Sequence, residues 1–185
     1  MDNGASSYRR FLDGDDNAIS EIVENYKDGL ILYLNGYVNN IFIAEELTED
    51  TFFRLITKKP KYSGKSTFKT WIYAIGRNVA VDFIRHNSKI HNVPLENAEN
   101  YLTELQNLEQ LYIREENKII VHKALQKLKP EYRNVIWLIY FENFTNKETA
   151  AILRKTEHQT KNLLYRAKKS LKLHLEKEDF EYEEF

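Results

Sequence analysis

The chain has 185 residues, 42% hydrophobic and 30% charged, with a formal net charge of −1, enough apolar content for a core and enough charge for a wetted surface. It has no cysteine, which excludes disulfides, zinc–thiolate sites and a thiol nucleophile. No apolar run approaches the about 20 residues that cross a bilayer, and the opening Met1-Asp2-Asn3-Gly4 lacks the basic and apolar stretches of a signal peptide, so a cytoplasmic protein is expected.

Breakers are few: three prolines (Pro60, Pro94, Pro130) and six glycines, with no glycine in the 109 residues after Gly76. Hairpins and left-handed turns usually call on glycine, so an all-α chain is expected. From Asp16 to about Tyr37, the residues Ile19, Ile22, Val23, Tyr26, Leu30 and Tyr33 recur at helical spacing. Gly36 and the Asn39-Asn40 pair read as a break. A second helix is expected from Ala44 to Lys58, with Leu47, Thr51, Phe52 and Leu55 on one side and Glu45, Glu46, Glu49 and Asp50 towards water. Pro60 and Gly64 mark a loop over 59–65. Ser66 reads as the N-cap of a long helix to about His86. Its stripe Phe68, Ile72, Ile75, Val79 and Phe83 is core, while Trp71, Tyr73, Arg77, Asn78 and Arg85 lie off the stripe or at its edge.

The stretch from Asn87 to about Tyr101, with Pro94 and several Asn, reads as a linker. Helix resumes near Thr103 and runs to Leu128, where Lys129-Pro130 ends it; Pro130 suits the first turn of the next helix, 130–141. Thr145 with Glu148, and Thr156 with Gln159, are capping-box pairs. They frame a short helix, a turn over 153–156 and a longer basic helix to about Glu176, a helix-turn-helix pattern.

The near-zero net charge hides segregation. Residues 58–91 carry eight Lys and Arg against Asp82, and residues 154–173 carry seven against Glu157. Between them, 92–117 hold six glutamates against Arg114, and 176–185 hold six acids against Lys177. One basic block is commonly a solvated face; two on separate helical units, split by an acidic segment, fit contact with a polyanion at two places.

A helix presented to a major groove needs side chains that reach base edges and others that hold phosphates. On the helix from Thr156, His158, Lys161, Asn162, Tyr165, Arg166 and Lys169 share a polar face, while Ile152, Leu164, Ala167 and Leu171 can pack on Val135, Leu138 and Ile139. The stretch 58–85 differs, setting Tyr62, Phe68, Trp71 and Tyr73 among Lys61, Lys65, Lys69 and Arg77. Ring stacking beside a basic channel suits single-stranded nucleic acid, at about 1–3 kcal/mol per stacked base. The loop Tyr62-Ser63-Gly64-Lys65-Ser66 could contact an extruded base.

These segments carry a resemblance. The run Ala44-Glu45-Glu46-Leu47-Thr48-Glu49-Asp50-Thr51-Phe52-Phe53-Arg54-Leu55 looks like the region 2.2 helix of sigma factors. Phe68-Lys69-Thr70-Trp71-Ile72-Tyr73-Ala74-Ile75-Gly76-Arg77-Asn78, then Asp82-Phe83-Ile84-Arg85, resembles their regions 2.3–2.4. The run from Ala124 to Ile136 resembles the opening of region 4, and Glu148 to Leu153 with Thr160 to Ala167 fits its helix-turn-helix. In order, these motifs resemble a sigma factor of the extracytoplasmic-function (ECF) group over about residues 8–175.

The resemblance implies two small helical domains: region 2 over 8–88 and region 4 over 113–176, joined by a flexible acidic linker, 89–112, and followed by a tail, 177–185. It implies core RNA polymerase (β′ clamp helices and β flap) and promoter DNA as partners, an anti-sigma factor as a further one, and no cofactor. Contact with the polymerase falls to Glu46, Glu49, Asp50, Phe53 and Arg54. Capture of the melted −10 element falls to Ser63, Lys65, Ser66, Lys69, Trp71, Tyr73, Arg77 and Asn78. The −35 duplex falls to His158, Gln159, Lys161, Asn162, Tyr165, Arg166 and Lys169. The sequence departs from the family in its turn, where Arg154 and Lys155 replace a frequent Gly and aliphatic residue, and at Thr160 and Gly76, where Val and Ala are common.

Other classes fit less of the chain. Glu45/Glu46 and Glu115/Glu116 sit in water-facing helical patterns, the five histidines lack metal-ligand spacing, and no glycine-rich phosphate loop is present, so catalysis is not expected. A helix-turn-helix regulator acting without polymerase would leave 58–85 unemployed. A decoy binding only a regulator would not need Lys65, Lys69, Trp71, Asn78, Lys161 and Arg166.

Overall fold

The computed structural model describes residues 3–90 and 116–176, which are helical with no strand among them. The acidic linker beyond Ile90, the expected helical stretch 103–115 and the tail 177–185 lie outside the described residues.

The first helix, α1 (Asn3–Leu12), is one the sequence pattern did not reveal. Only Tyr8 and Phe11 bury large side chains from it, too few to establish a period. It is held from outside: the Tyr8 hydroxyl donates to the Pro60 carbonyl at 2.8 Å, and Gly4 sits so close to Tyr26 and Phe68 that a Cβ there would stand 2.4 Å from Tyr26 Oη.

Helix α2 (Asn17–Val38) buries Ile22, Leu30, Ile31, Tyr33 and Leu34. The expected break falls at the Asn39-Asn40 pair and not at Gly36. The helix runs on to Asn39, whose left-handed φ of 50° ends it while its N–H donates to Asn35 O at 2.8 Å; Asn tolerates this conformation better than most residues. Asn40 then caps α3 (Ile41–Lys58), accepting from the Ile43 N–H at 3.2 Å, so α3 starts three residues before Ala44. Helix α4 (Phe68–Ile90) is capped by Thr67 and not by Ser66, since the Thr67 hydroxyl accepts from the Thr70 N–H at 3.1 Å. Phe68, Ile72 and Val79 form its core stripe, with Ile75 and Phe83 partly buried against it.

The second unit begins with α5 (Glu116–Gln126). Pro130 opens α6 (Pro130–Ile136), where its missing N–H has no intrahelical partner to lose. The same helix continues as a π turn, Trp137–Phe141. Helix α7 (Asn146–Leu153) carries the full Thr145/Glu148 capping box, and α8 (Glu157–Glu176) opens on the Thr156/Gln159 pair. Arg154 makes the turn between them in the left-handed region, φ 54°, so this arginine adopts the geometry that a glycine would supply. Leu163 and Ala167 of α8 bury with Val135, Leu138 and Ile152. Helices α1, α3 and α4 pack on α2, α8 packs on α6 and α7, and α7 also packs on α4, so the two units touch.

Candidate nucleic-acid and polymerase interfaces

Helix α3 buries Ala44, Leu47, Thr51, Phe52 and Leu55. Its opposite face leaves Glu46, Glu49, Asp50, Phe53 and Arg54 exposed, all five of the expected polymerase-contact residues. Phe53 is 63% exposed, and Phe42 and Ile56 are also open. The order Phe42, Glu46, Glu49, Phe53, Ile56 keeps 3–4 spacing and makes one mixed apolar and acidic stripe. Phe42 and Ile56 were missed in the sequence, although a second apolar stripe opposite the core was there to be read. Arg54 stands 3.7 Å from Asp82 of α4.

Ser63, Gly64 and Lys65 are exposed in the loop before α4, and Ser66 is half-buried. The loop is fastened by Tyr62, whose hydroxyl donates to Ser66 O at 2.5 Å. Trp71 is half-buried in a cluster of rings, with centroids 5.2 Å from Tyr8, 5.1 Å from Tyr62 and 5.4 Å from Phe68. It is therefore a core ring with one open edge. Arg77 and Asn78 are half-buried neighbours, with Arg77 Nη1 donating to Asn78 Oδ1 at 3.4 Å.

Tyr73 corrects the expectation of an edge position. It is 1% exposed, covered by Tyr33 at 5.3 Å and by Phe144 of the second unit at 5.1 Å. Burial, then the neighbouring Glu142 carboxylate, push its hydroxyl far above the ordinary phenol range. Lys69 is likewise occupied: Nζ pairs with Glu142 Oε2 at 2.8 Å and donates to the Glu142 carbonyl at 2.9 Å. No spacing in the sequence pointed to Glu142. The π turn places it, its N–H closing on Trp137 O at 3.1 Å while the Trp137 indole N–H donates to Oε1 at 3.3 Å.

On α8 the expected groove-facing residues His158, Gln159, Lys161, Asn162, Tyr165, Arg166 and Lys169 are all exposed, Tyr165 to 71%. Asn162 Nδ2 and His158 Nε2 stand 3.0 Å apart. Gln159 is the exception in role, because its side-chain oxygen accepts from the Thr156 N–H at 2.9 Å and so is committed to the cap. Thr160 is fully buried, its hydroxyl donating to Thr156 O at 3.0 Å, which explains why a polar residue is accepted where Val is common. The exposed face is cationic and carries side chains long enough to reach both phosphates and base edges.

Among the described residues no group of three or more His, Asp and Glu is placed to hold a metal ion, and no helix is long and apolar enough to cross a membrane.

The sequence matches the family profile "Sigma-70 region 2" over residues 22–90 and "Sigma-70, region 4" over 118–171. It is similar to the ECF RNA polymerase sigma factor SigX of Bacillus subtilis, 26% identical over 159 residues covering 84% of this chain and 82% of that one. RNA polymerase sigma factor SigV of the same organism is 27% identical over 157 residues, covering 85% and 90%. Two solved structures share the fold. One is the sigma factor RpoE in complex with the anti-sigma factor NepR from Bartonella quintana, TM-score 0.64, 21% identical, covering 85% of this chain and 96% of that one. The other is CnrH in complex with the cytosolic domain of CnrY, TM-score 0.64, 19% identical, covering 94% and 95%.

Proposed function

The chain belongs to the sigma-70 family as an RNA polymerase sigma factor of the ECF group, and we propose that its helical units divide promoter recognition between three surfaces. The α3 stripe with Glu46, Glu49, Asp50, Phe53 and Arg54 docks on the β′ clamp helices of core polymerase. The loop 62–66 and α4, through Ser63, Lys65, Ser66, Lys69, Trp71, Arg77 and Asn78, capture the melted −10 element, with the buried Tyr73 as packing beneath them. Helix α8 reads the −35 duplex through Lys161, Asn162, Tyr165 and Arg166, with Lys169 and His158 at the backbone. We assign region 2 to 8–88, extended to Asn3 by α1, and region 4 to 113–176.

One observation supports this division: the exposed cations of α8 and the loop-and-α4 group of Lys65, Arg77 and half-buried Trp71 lie on different helical units, while the mixed apolar and acidic stripe lies on α3. A duplex reader needs only the first kind of face; a strand-melting factor needs rings and cations together. In this reading the chain supplies recognition and the polymerase supplies the chemistry. The solved complexes of similar folds with NepR and CnrY make a protein inhibitor a further proposed partner.

The test is promoter selection with reconstituted polymerase. The chain should associate with core enzyme and redirect its start sites to a defined pair of elements. If it shifts duplex DNA alone and leaves start sites unchanged, a helix-turn-helix regulator acting without polymerase is the better reading.

A further inference from the structure

Helix α8 carries two side-chain amides, Gln159 and Asn162, and they stand differently towards DNA. An amide reads adenine in the major groove with both ends at once, its oxygen accepting from N6 and its nitrogen donating to N7. Gln159 is held back from that role: its side-chain oxygen accepts from the Thr156 N–H at 2.9 Å, and its backbone N–H donates to the Thr156 hydroxyl at 3.2 Å. Asn162, further along the exposed face, stands with Nδ2 3.0 Å from His158 Nε2. An amide nitrogen only donates, so Nε2 accepts and the ring proton sits on Nδ1. Asn162 keeps Oδ1 and a second N–H, the acceptor and donor that adenine requires. We propose that Asn162 reads one adenine of the −35 duplex and that His158 is the positioning residue that holds its amide the right way round. This rests on the assignment of α8 to the −35 element.

The amide needs holding because its terminal torsion is broad and roughly two-fold. A reversed Asn162 would set its oxygen against N7 and its nitrogen against N6, two mismatched pairs at once. A free rotor would also turn either end to other bases, so discrimination falls along with affinity. Fixing the amide before docking removes that ordering from the binding step. The two residues are four apart, the spacing at which side chains meet on one helix face. They lie in the first two turns of α8, the part of a recognition helix that comes nearest the base edges. The His158 Nδ1–H is left to donate to a phosphate, the backbone contact already assigned to that residue.

The helix beneath them is firmly set. Thr160, Leu163 and Ala167 bury the opposite face, Arg154 fixes the turn before it, and the Thr156/Gln159 pair closes the first turn. Exposed Lys161 and Arg166 flank Asn162 and suit phosphate or guanine, neither of which needs an amide. Asn162 is thus the side chain of this face suited to adenine. His158→Gln keeps an acceptor facing Asn162, because a Gln oxygen four residues before an Asn bonds to it on a helix.

The experiment uses the full chain assembled with core polymerase. Duplexes randomised through the −35 element are selected by the parent chain and by Asn162→Ala, His158→Ala and His158→Gln. Affinities are then measured on duplexes that differ at one base pair. Both side chains are exposed, so the variants should fold as the parent does. Expected for the parent is adenine preferred at one position by about fivefold or more. Asn162→Ala should abolish that preference, and His158→Ala should cut it by about threefold or more, with preferences elsewhere kept. His158→Gln should restore it. If Asn162→Ala leaves all preferences intact, or the one it removes is for another base, the adenine reading is overturned. If His158→Ala weakens all duplexes alike, or His158→Gln restores nothing, the positioning role is overturned and His158 is a phosphate contact only. In each of those cases the −35 assignment stands on the parent's selection. If the parent holoenzyme selects no −35 sequence, the assignment itself falls and takes the inference with it.

Discussion

The Thr70 hydroxyl of α4 donates to Glu148 of α7 at 3.3 Å, and the same carboxylate closes the capping box with Thr145, its Oε2 2.7 Å from the Thr145 hydroxyl and 3.0 Å from the N–H. One side chain thus starts the first helix of the helix-turn-helix and fastens it to region 2. Partial burial alone would raise the Glu148 pKa; the Thr145 N–H, then the hydroxyls of Thr145, Thr70 and Thr67, outweigh it and hold the carboxyl below its ordinary value.

A depressed folded-state pKa gives stability that is present above the unfolded carboxylate value and lost as pH falls through the folded one. The difference in unfolding free energy between the parent chain and Glu148→Gln should therefore be constant from neutral pH to about 5 and shrink below about 4. Urea denaturation of both proteins across that range checks it; a difference unchanged at acid pH would count against the carboxylate's role.

Arg154 holds a left-handed backbone at φ 54°, which costs an L-residue roughly 1–2 kcal/mol, against about 0.5–1 kcal/mol of extra chain entropy that glycine loses on folding. Arg154→Gly should raise the stability of the chain by up to about 1 kcal/mol and leave −35 binding intact. Thermal denaturation gives the first value and duplex binding by holoenzyme the second.

Phe53 is 63% exposed, so Phe53→Ala should change folding stability by no more than about 0.5 kcal/mol. At the centre of the α3 stripe it should nonetheless weaken polymerase association by about 2 kcal/mol, roughly thirtyfold. Titration of labelled protein with core enzyme measures the loss; unchanged affinity removes α3 from the interface.

Trp71 combines packing with an open edge. Trp71→Ala should lower stability by roughly 2–3 kcal/mol through loss of contact with Tyr8, Tyr62 and Phe68, whereas Trp71→Phe should recover most of it. In holoenzyme the alanine variant should impair strand opening more than polymerase binding, read by permanganate reactivity of promoter thymines. Equal loss of both would make Trp71 a packing residue only.

Arg166 and Gln159 separate reading from capping on one helix. Arg166→Ala should cost roughly 1–3 kcal/mol at one promoter position if it meets a base edge. Gln159→Ala should cost about 1 kcal/mol of stability through the lost cap and leave promoter preference unchanged. Promoter selection repeated with each variant distinguishes the two.

Much of this was legible because helices announce themselves locally. The periodic core of α2, α3 and α4, both capping pairs and the exposed cations of α8 follow from spacing and charge along the chain. Local reading failed where a partner far away in sequence decides the outcome. Helix α1 has little pattern of its own and is held by Pro60, Tyr26 and Phe68. Gly36 reads as a breaker, yet its lack of a side chain lets α6 approach α2.

The division has a physical cause. Backbone hydrogen bonding and side-chain periodicity act over three or four residues, so the sequence alone determined the periodic helices α2, α3 and α4, the Thr145/Glu148 and Thr156/Gln159 capping pairs, the two cationic blocks and the resemblance built from them. Burial is a property of whatever packs against a residue, so only the tertiary structure decided that Tyr73 is covered, that Lys69 is paired and that Glu142 lies where the strand is proposed to bind.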